Sequence, residues 1–286
     1  MCTNVESRRR LVSTAFGLVV LLSLPVEAAE LKPRTVTAWA DYVAATEARI
    51  AEELAPSDRF LVLDFQEPDD ANAERAAILA GRIVVTKMRT RRAEGEKIDV
   101  PKGAIHRWRG TMFVPDVTLD EVLANARRSA EEDHLQEDVL ESRILEQGPD
   151  TMRVYLKVKR KKFVTVVFNT EHAVEYSRHG PARASSASRA TKIAELIDPE
   201  TPNEREKPEG QDRGFLWRLN SYWRYSAVDG GVVVECESLT LSRSIPAILR
   251  VFIGRLINSA ARESMDRTLE SMRTRLTSPG AARPAQ

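Results

Sequence analysis

Cysteine is scarce in this chain: 286 residues hold two. Cys2 lies ahead of an apolar run near the N-terminus, so a chain cut after that run keeps Cys236 alone. That excludes an internal disulfide and leaves stability to a packed core. Neither sign of charge is in excess, with 43 Lys and Arg against 42 Asp and Glu. A dedicated nucleic-acid binder usually carries a strong basic excess, so nucleic acid is not an expected partner. The run from Leu11 to Leu24 has 14 residues, short of the roughly 20 that a membrane-spanning helix needs. No G-x-S-x-G elbow, G-x-G-x-x-G turn, P-loop or H-E-x-x-H pair occurs, which lowers the standing of the reactions those motifs serve. No internal repeat is visible, and no motif points to a cofactor.

What is present at the N-terminus has the layout of a secretory signal. Arg8, Arg9 and Arg10 precede the apolar run, and Pro25 followed by Val26-Glu27-Ala28 offers small residues where a signal peptidase cuts. The expected organisation is a signal peptide over 1–28, a single domain over 29–276 and a disordered Pro/Ala-rich tail over 277–286. The mature chain is then exported, periplasmic or secreted.

Apolar spacing predicts an amphipathic helix from Thr37 to Leu54, closed by Pro56. A short helix follows at Ala71 to Ala80, with the apolar segment Leu61 to Phe65 left ambiguous. Strands are expected at Ile83 to Thr90 and Ile105 to Val114. Thr118 with Glu121 forms a capping box ahead of a helix through Val122 and Ala126. Met152 to Lys159 alternates as a half-buried strand and Phe163 to His172 pairs with it. Ser177 to Ser188 reads as a polar loop, Ala190 to Ile197 as a short strand, and Asp198 to Arg213, with three prolines and six acidic residues, as an exposed excursion. Phe215 to Tyr225 and Val232 to Leu241 form a hairpin turned at Asp229-Gly230-Gly231. From Pro246 to Leu276 one apolar stripe runs through Leu249, Phe252, Leu256, Ala260, Met265, Leu269, Met272 and Leu276. Hairpin-linked strands flanked by helices make an α+β fold with an antiparallel sheet.

The segments Gly231-Val232-Val233-Val234-Glu235-Cys236-Glu237-Ser238 and Ser244-Ile245-Pro246-Ala247-Ile248-Leu249 give a strand, an Ile-Pro step and a long C-terminal helix in succession. In this the chain resembles the START-like domains of the helix-grip superfamily, which includes pollen allergens and polyketide cyclases. The resemblance spans about Thr37 to Leu276. It implies a curved antiparallel sheet wrapped around the C-terminal helix, with an apolar cavity between them for a lipid or other hydrophobic molecule. Phe215, Trp217, Leu219, Ser221, Trp223 and Tyr225 alternate on one face of a strand. Leu216, Arg218, Asn220, Tyr222 and Arg224 share the other, so the first face is expected to be the drier. Under the resemblance, Trp217, Leu219, Ser221 and Trp223 line the cavity opposite Leu249, Phe252 and Leu256, with Asn169 and Ser221 orienting the ligand.

Other constellations carry less. His134 and Glu137 share an i, i+3 spacing but lack a third ligand, so no metal is expected. Glu171 and His172 are adjacent strand residues that point to opposite faces, so they do not converge on one substrate without a bulge. Cys236 lies mid-strand among apolar residues, as an inert thiol does. Lys157, Lys159, Arg160, Lys161 and Lys162 crowd a hairpin end, where they either stay solvated or dock on an anionic membrane surface. Three functions stay open: non-catalytic binding of a hydrophobic molecule, an enzyme of cyclase or hydrolase type on the same fold, and an interaction protein whose cavity is filled.

Overall fold

A computed structural model of the chain describes residues 30–91, 95–128, 138–161, 165–244 and 247–278; for 247–258 and 260 it describes the backbone alone. The signal segment, His134, Glu137, Lys162 and the tail beyond 278 lie outside the described residues. Four α-helices occur among them: α1 Pro33–Leu54, α2 Pro68–Leu79, α3 Leu119–Arg128 and α4 Ala247–Thr277. The ambiguous segment after Pro56 is a single 3-10 turn, Val62–Phe65. The strands are β1 Val84–Lys87, β2 Gly103–Pro115, β3 Val139–Gln147, β4 Thr151–Lys161, β5 Thr165–Arg178, β6 Arg183–Ile197, β7 Arg205–Glu206, β8 Arg218–Val228 and β9 Gly231–Arg243. They form one antiparallel sheet in the order β1-β2-β9-β8-β6-β5-β4-β3, with β7 paired to β6. The long C-terminal helix packs on one face of this sheet, which is the helix-grip arrangement.

Local signals explain most of the ends. Pro33 and Pro68 stand in the first turns of α1 and α2, where a missing N–H costs little. At α3 the Thr118 N–H donates to Glu121 Oε2 at 2.7 Å and the Glu121 N–H donates to Thr118 Oγ1 at 3.3 Å, so the expected capping box is formed. The β8–β9 hairpin closes with Val228 opposite Gly231, leaving Asp229 and Gly230 as its turn.

One expectation is corrected and one strand is new. The stretch from Arg183 to Ser188 is strand, not loop, so β6 is far longer than the segment from Ala190. Its serines and alanines pair with β5 on one side and β8 on the other, and only the residues around Gly180 turn. β3, which no expectation covered, is an edge strand whose side chains, Ser142 apart, are half-buried or exposed.

Alternate residues of each strand point to opposite faces. On the helix face, Trp108, Met112, Val114, Tyr225, Val232, Val234 and Cys236 pack with Met265, Leu269, Met272 and Leu276 of α4 and with Leu119, Val122 and Leu123 of α3. The closest approach is at Gly110. A Cβ there would stand 2.6 Å from Leu269 Cδ1 and 2.6 Å from Met265 Cγ, so α4 rests directly on the β2 backbone.

The back face is covered as well. Trp39 and Tyr42 of α1 pack with Tyr222, Leu239 and Leu241, while Phe60, Leu61, Leu63 and Ile78 pack with Val233. Between these clusters lies a buried layer of charge. Glu237 accepts from Arg49 Nη2 at 2.7 Å and from Arg107 Nε at 3.1 Å, with only 2% of its side chain exposed. Arg224 reaches Glu53 and donates to the Phe60 carbonyl at 2.8 Å. Arg109 donates to Glu74 at 2.7 Å and stands 3.7 Å from Glu235, which accepts from the Val62 N–H at 2.9 Å. The face carrying Tyr222 and Arg224 is therefore not the wetter one. Its charges are paired and sealed by α1, the 3-10 turn and α2.

Burial opposes ionisation of Glu237, but Arg107 and Arg49 outweigh it and hold its carboxyl below the ordinary range. Glu235 goes the other way: burial pushes it up to about 7, although Arg109 and Arg224 favour the charge.

Two tests follow from this packing. Leu269→Ala removes the side chain that meets Gly110 and should cost about 2–5 kcal/mol in urea unfolding; a loss below 1 kcal/mol would show that α4 is not seated there. Between pH 4.5 and about 7 the unfolded chain has released the Glu235 proton and the folded chain still holds it, so this group's contribution to stability falls as pH rises through that window. The stability of Glu235→Gln relative to wild type should therefore rise by on the order of 2–3 kcal/mol from pH 5 to pH 8. A difference that does not change with pH would contradict the assignment.

Candidate functional site

On the helix face, the seal made by α4 and α3 is uneven. Near the β8–β9 turn, Val232, Val234, Cys236, Tyr225, Met112 and Ala184 are buried. Farther along the same strands Leu219, Ser221, Ser238, Thr240, Ser188 and Ala190 are half-buried, although they point the same way. Ser188 stands opposite Ser221, Ser221 opposite Ser238, and Ser238 opposite Trp108. Three hydroxyls thus cross β6, β8 and β9 in one row, at the ~4.8 Å spacing of neighbouring strands. Trp223 lies beside the row, and its Nε1–H donates to Ser221 Oγ at 3.3 Å. Trp108 ends the row; it is 9% exposed, and its Nε1 is buried with no hydrogen-bond partner among the described residues.

Two histidines flank this patch. His172, across β5 from Ala190, shares a hydrogen bond of 3.0 Å between Nε2 and Thr170 Oγ1, and burial lowers its pKa to about 4. His106 Nε2 lies 3.2 Å from Ser242 Oγ; burial, then the charge of Lys87, lowers its pKa. Both rings are therefore neutral near pH 7. Glu171 turns to the back face and accepts from Arg153 at 3.1 Å, so it does not act with His172. Glu195, opposite Phe168, is committed to Arg213 and Lys207. No group of three or more His, Cys, Asp or Glu side chains among the described residues could hold a metal ion. Cys236 is buried beside Trp223, and burial, reinforced by Glu237 and Glu235, pushes its thiol well above the usual range.

The expected cavity residues divide. Leu219, Ser221 and Trp223 stand together on the helix face. Trp217 does not join them. It precedes β8, where strict alternation is lost, and packs with Trp39, Tyr42 and Leu241 beneath α1 while donating to Asp212 at 2.9 Å. Its neighbour Leu216 turns to the helix face instead, against Val158, Val166 and Phe168. Asn169 is also on the back face. It accepts from the Tyr155 hydroxyl at 2.8 Å and donates to Glu206 at 3.0 Å, because Phe168 and Thr170 take the helix face. The side chains of Leu249, Phe252 and Leu256 lie outside the described residues.

Sequence reasoning missed Trp108, Ser188, Ser238 and His172 as members of this patch. Reading 183–188 as a loop hid Ser188 and, with it, the row. The signal that could have found it is the alternation Ala184, Ser186, Ser188, Ala190.

The basic hairpin is largely neutralised. Lys157 meets Glu204 at 2.7 Å, Lys159 meets Glu200 and Arg160 meets Asp138, while Lys161 stays exposed. Two surface pockets lie away from the serine row. One of about 270 Å³ sits between α3 and the β5–β6 end, at Asp120, Arg127, Tyr176 and Arg178. The other, of about 420 Å³, sits at the end of α1, at Phe60, His179 and Arg183.

No family model matches the sequence, and no curated protein matches it. Among solved structures the chain is similar to a STAR-related lipid transfer protein fragment from Xanthomonas axonopodis at 16% identity, over 68% of this chain and 99% of that one, with a TM-score of 0.45. It is similar to human STARD10 at 10% identity, over 77% and 82%, with a TM-score of 0.43. It is also similar to the Zhui aromatase/cyclase from Streptomyces at 12% identity, over 62% and 99%, with a TM-score of 0.41. All three scores lie below 0.5, so the assignment rests on topology: the strand order, the antiparallel register and the closing C-terminal helix make this an α+β helix-grip fold.

Proposed function

We propose that this chain binds a hydrophobic small molecule, without covalent chemistry, between the half-buried patch of the helix face and the first half of α4. One observation carries the reading: a single face of one sheet is sealed around Met112, Val234 and Tyr225 and left reachable around Leu219, Ser221 and Ser238. The reachable part is floored by Trp223, Trp108 and Leu219 and by small side chains, which leaves room above the strands. Connectivity supplies the roof. α4 starts four residues after β9 ends, and Met265 is ~27 Å along the helix from Ala247 at 1.5 Å per residue. Cys236, beside Gly110, is ~23 Å back along β9 from Arg243. The two lengths agree with α4 running back over β2, the strand beside β9 that it contacts most, so its first turns border the Ser238–Trp108 end of the row. Binding there is driven by apolar burial, at about 25 cal/mol per Å² removed from water.

The reading includes export: with the leader removed near Ala28, the carrier acts outside the cytoplasm. Catalysis of acid–base type is not part of it, because a general base needs a partner and a poised pKa, and His172 has Thr170 beside it and stays neutral. Docking of the basic hairpin on an anionic membrane is not part of it either, since such a surface would have to displace Glu200 and Glu204.

The test is uptake of the neutral fluorophore N-phenyl-1-naphthylamine. Wild type should bind it, and Ser221→Phe, which fills the patch, should weaken binding at least tenfold with an unchanged circular dichroism spectrum. Ser185→Phe, in the pocket beside α3, should bind as wild type does. Equal weakening by both variants, or no uptake by wild type, would overturn the site.

A further inference from the structure

Resting on that reading, we infer that the ligand is a neutral amphiphile with hydrogen-bonding oxygens spaced along its length, held by the row Ser188–Ser221–Ser238–Trp108, rather than a bare hydrocarbon chain or an anion. The row is the first reason. A cavity built for an apolar tail is lined by apolar side chains, because a polar group left without a partner in a dry site costs free energy. Here the middle of the patch carries three hydroxyls in register on three neighbouring strands. Each can donate or accept.

Trp108 is the second and independent reason. Its indole stands on the helix face opposite Ser238, nine-tenths buried, and the N–H has no partner among the described residues. An indole N–H only donates, so an acceptor oxygen is the ligand group that suits it. A ligand oxygen at that end of the row supplies one and removes the cost of an unmade bond, about 1–3 kcal/mol.

Charge sets the third limit. Trp223, Leu219, Ala190 and the three serines carry none, and His172 and His106 beside them are neutral near pH 7. The arginines next to the row in sequence, Arg107, Arg109 and Arg189, point to the back face and are spent on Glu237, Glu74 and Glu47. Lys87, opposite Trp108 on β1, is the cation at that end of the row; a carboxylate or phosphate at mid-row, between Ser188 and Ser238, would be desolvated away from it. The row also has a length. From Ser188 to Trp108 there are three strand spacings, ~14 Å in all. A rigid, flat molecule with oxygens ~12 Å apart can bond near both ends at once.

A series on one skeleton tests this. Trans-stilbene has no oxygen, 4,4′-dihydroxystilbene has a neutral oxygen at each end, and stilbene-4,4′-dicarboxylate is a dianion. Each is titrated against N-phenyl-1-naphthylamine already bound to the full chain. The dihydroxy compound should displace the fluorophore at least tenfold more tightly than either relative. Ser221→Ala and Trp108→Phe should each cut that preference at least threefold while leaving affinity for the oxygen-free stilbene unchanged. Stilbene binding as tightly as the diol, or the dicarboxylate binding best, would overturn the inference and leave the cavity standing. Unchanged preference in both variants would overturn it too. If wild type takes up neither the fluorophore nor any stilbene, the cavity itself falls and this inference falls with it.

Discussion

The contact between α4 and β2 at Gly110 governs the rest of the structure. A helix can reach the backbone of a strand only where the strand lacks a side chain, and Leu269 and Met265 occupy the space that a Cβ would need. That contact fixes the height of the C-terminal half of α4 above the sheet. The large side chains around it, Met112, Val234 and Tyr225, close on the helix without a gap. Toward the start of the helix the floor changes from bulky apolar residues to serines and alanines. Under the proposed reading, the helix and this lower floor bound the ligand site. The candidate site is the result of that step.

The back face plays a different part. A sheet that must hold a cavity open on one side gains rigidity from being covered on the other. Here the cover is α1, the 3-10 turn and α2, and the interlayer includes paired arginines and glutamates as well as apolar groups. Buried ion pairs add little net stability compared with apolar packing, but breaking one is expensive. The layer therefore acts as a latch on register: α1 docks where Arg49 meets Glu237 and Glu53 meets Arg224, and other placements leave charges unpaired. Glu235 is the weak member, short of a close cation and raised toward neutral pH. Trp217 belongs to this latch and not to the site, which moves one expected cavity wall to the opposite side of the sheet.

Much of this was legible before any coordinates. The C-terminal strand pair and helix, the capping box at Thr118 and the alternating strand from Met152 each follow a local rule that tertiary packing did not override. The shared face of the candidate patch was legible: Ser221 and Trp223 lie on one side by alternation, and Leu219 joins them. What failed did so for physical reasons. Ser186 and Ser188 look like loop residues because serine usually marks a turn, yet a strand facing a ligand space has reason to carry small polar side chains. β3 offered little apolar patterning because an edge strand leaves much of its surface in water. The charged back face reads as solvent-facing, since one chain segment cannot reveal that its arginine meets a glutamate nearly two hundred positions away, as Arg49 meets Glu237. Trp217 failed because alternation was extended past the first residue of the strand.

The central claim is that the space over Ser188, Ser221 and Ser238 is kept for a small molecule. Native mass spectrometry of the protein purified from its own host asks this most directly. The account predicts a reproducible adduct that is lost on unfolding, extracts into organic solvent as a neutral oxygen-containing compound, and is absent from Ser221→Phe prepared in the same way. A wild-type spectrum with only the bare chain, or one whose adduct persists in Ser221→Phe, would contradict it.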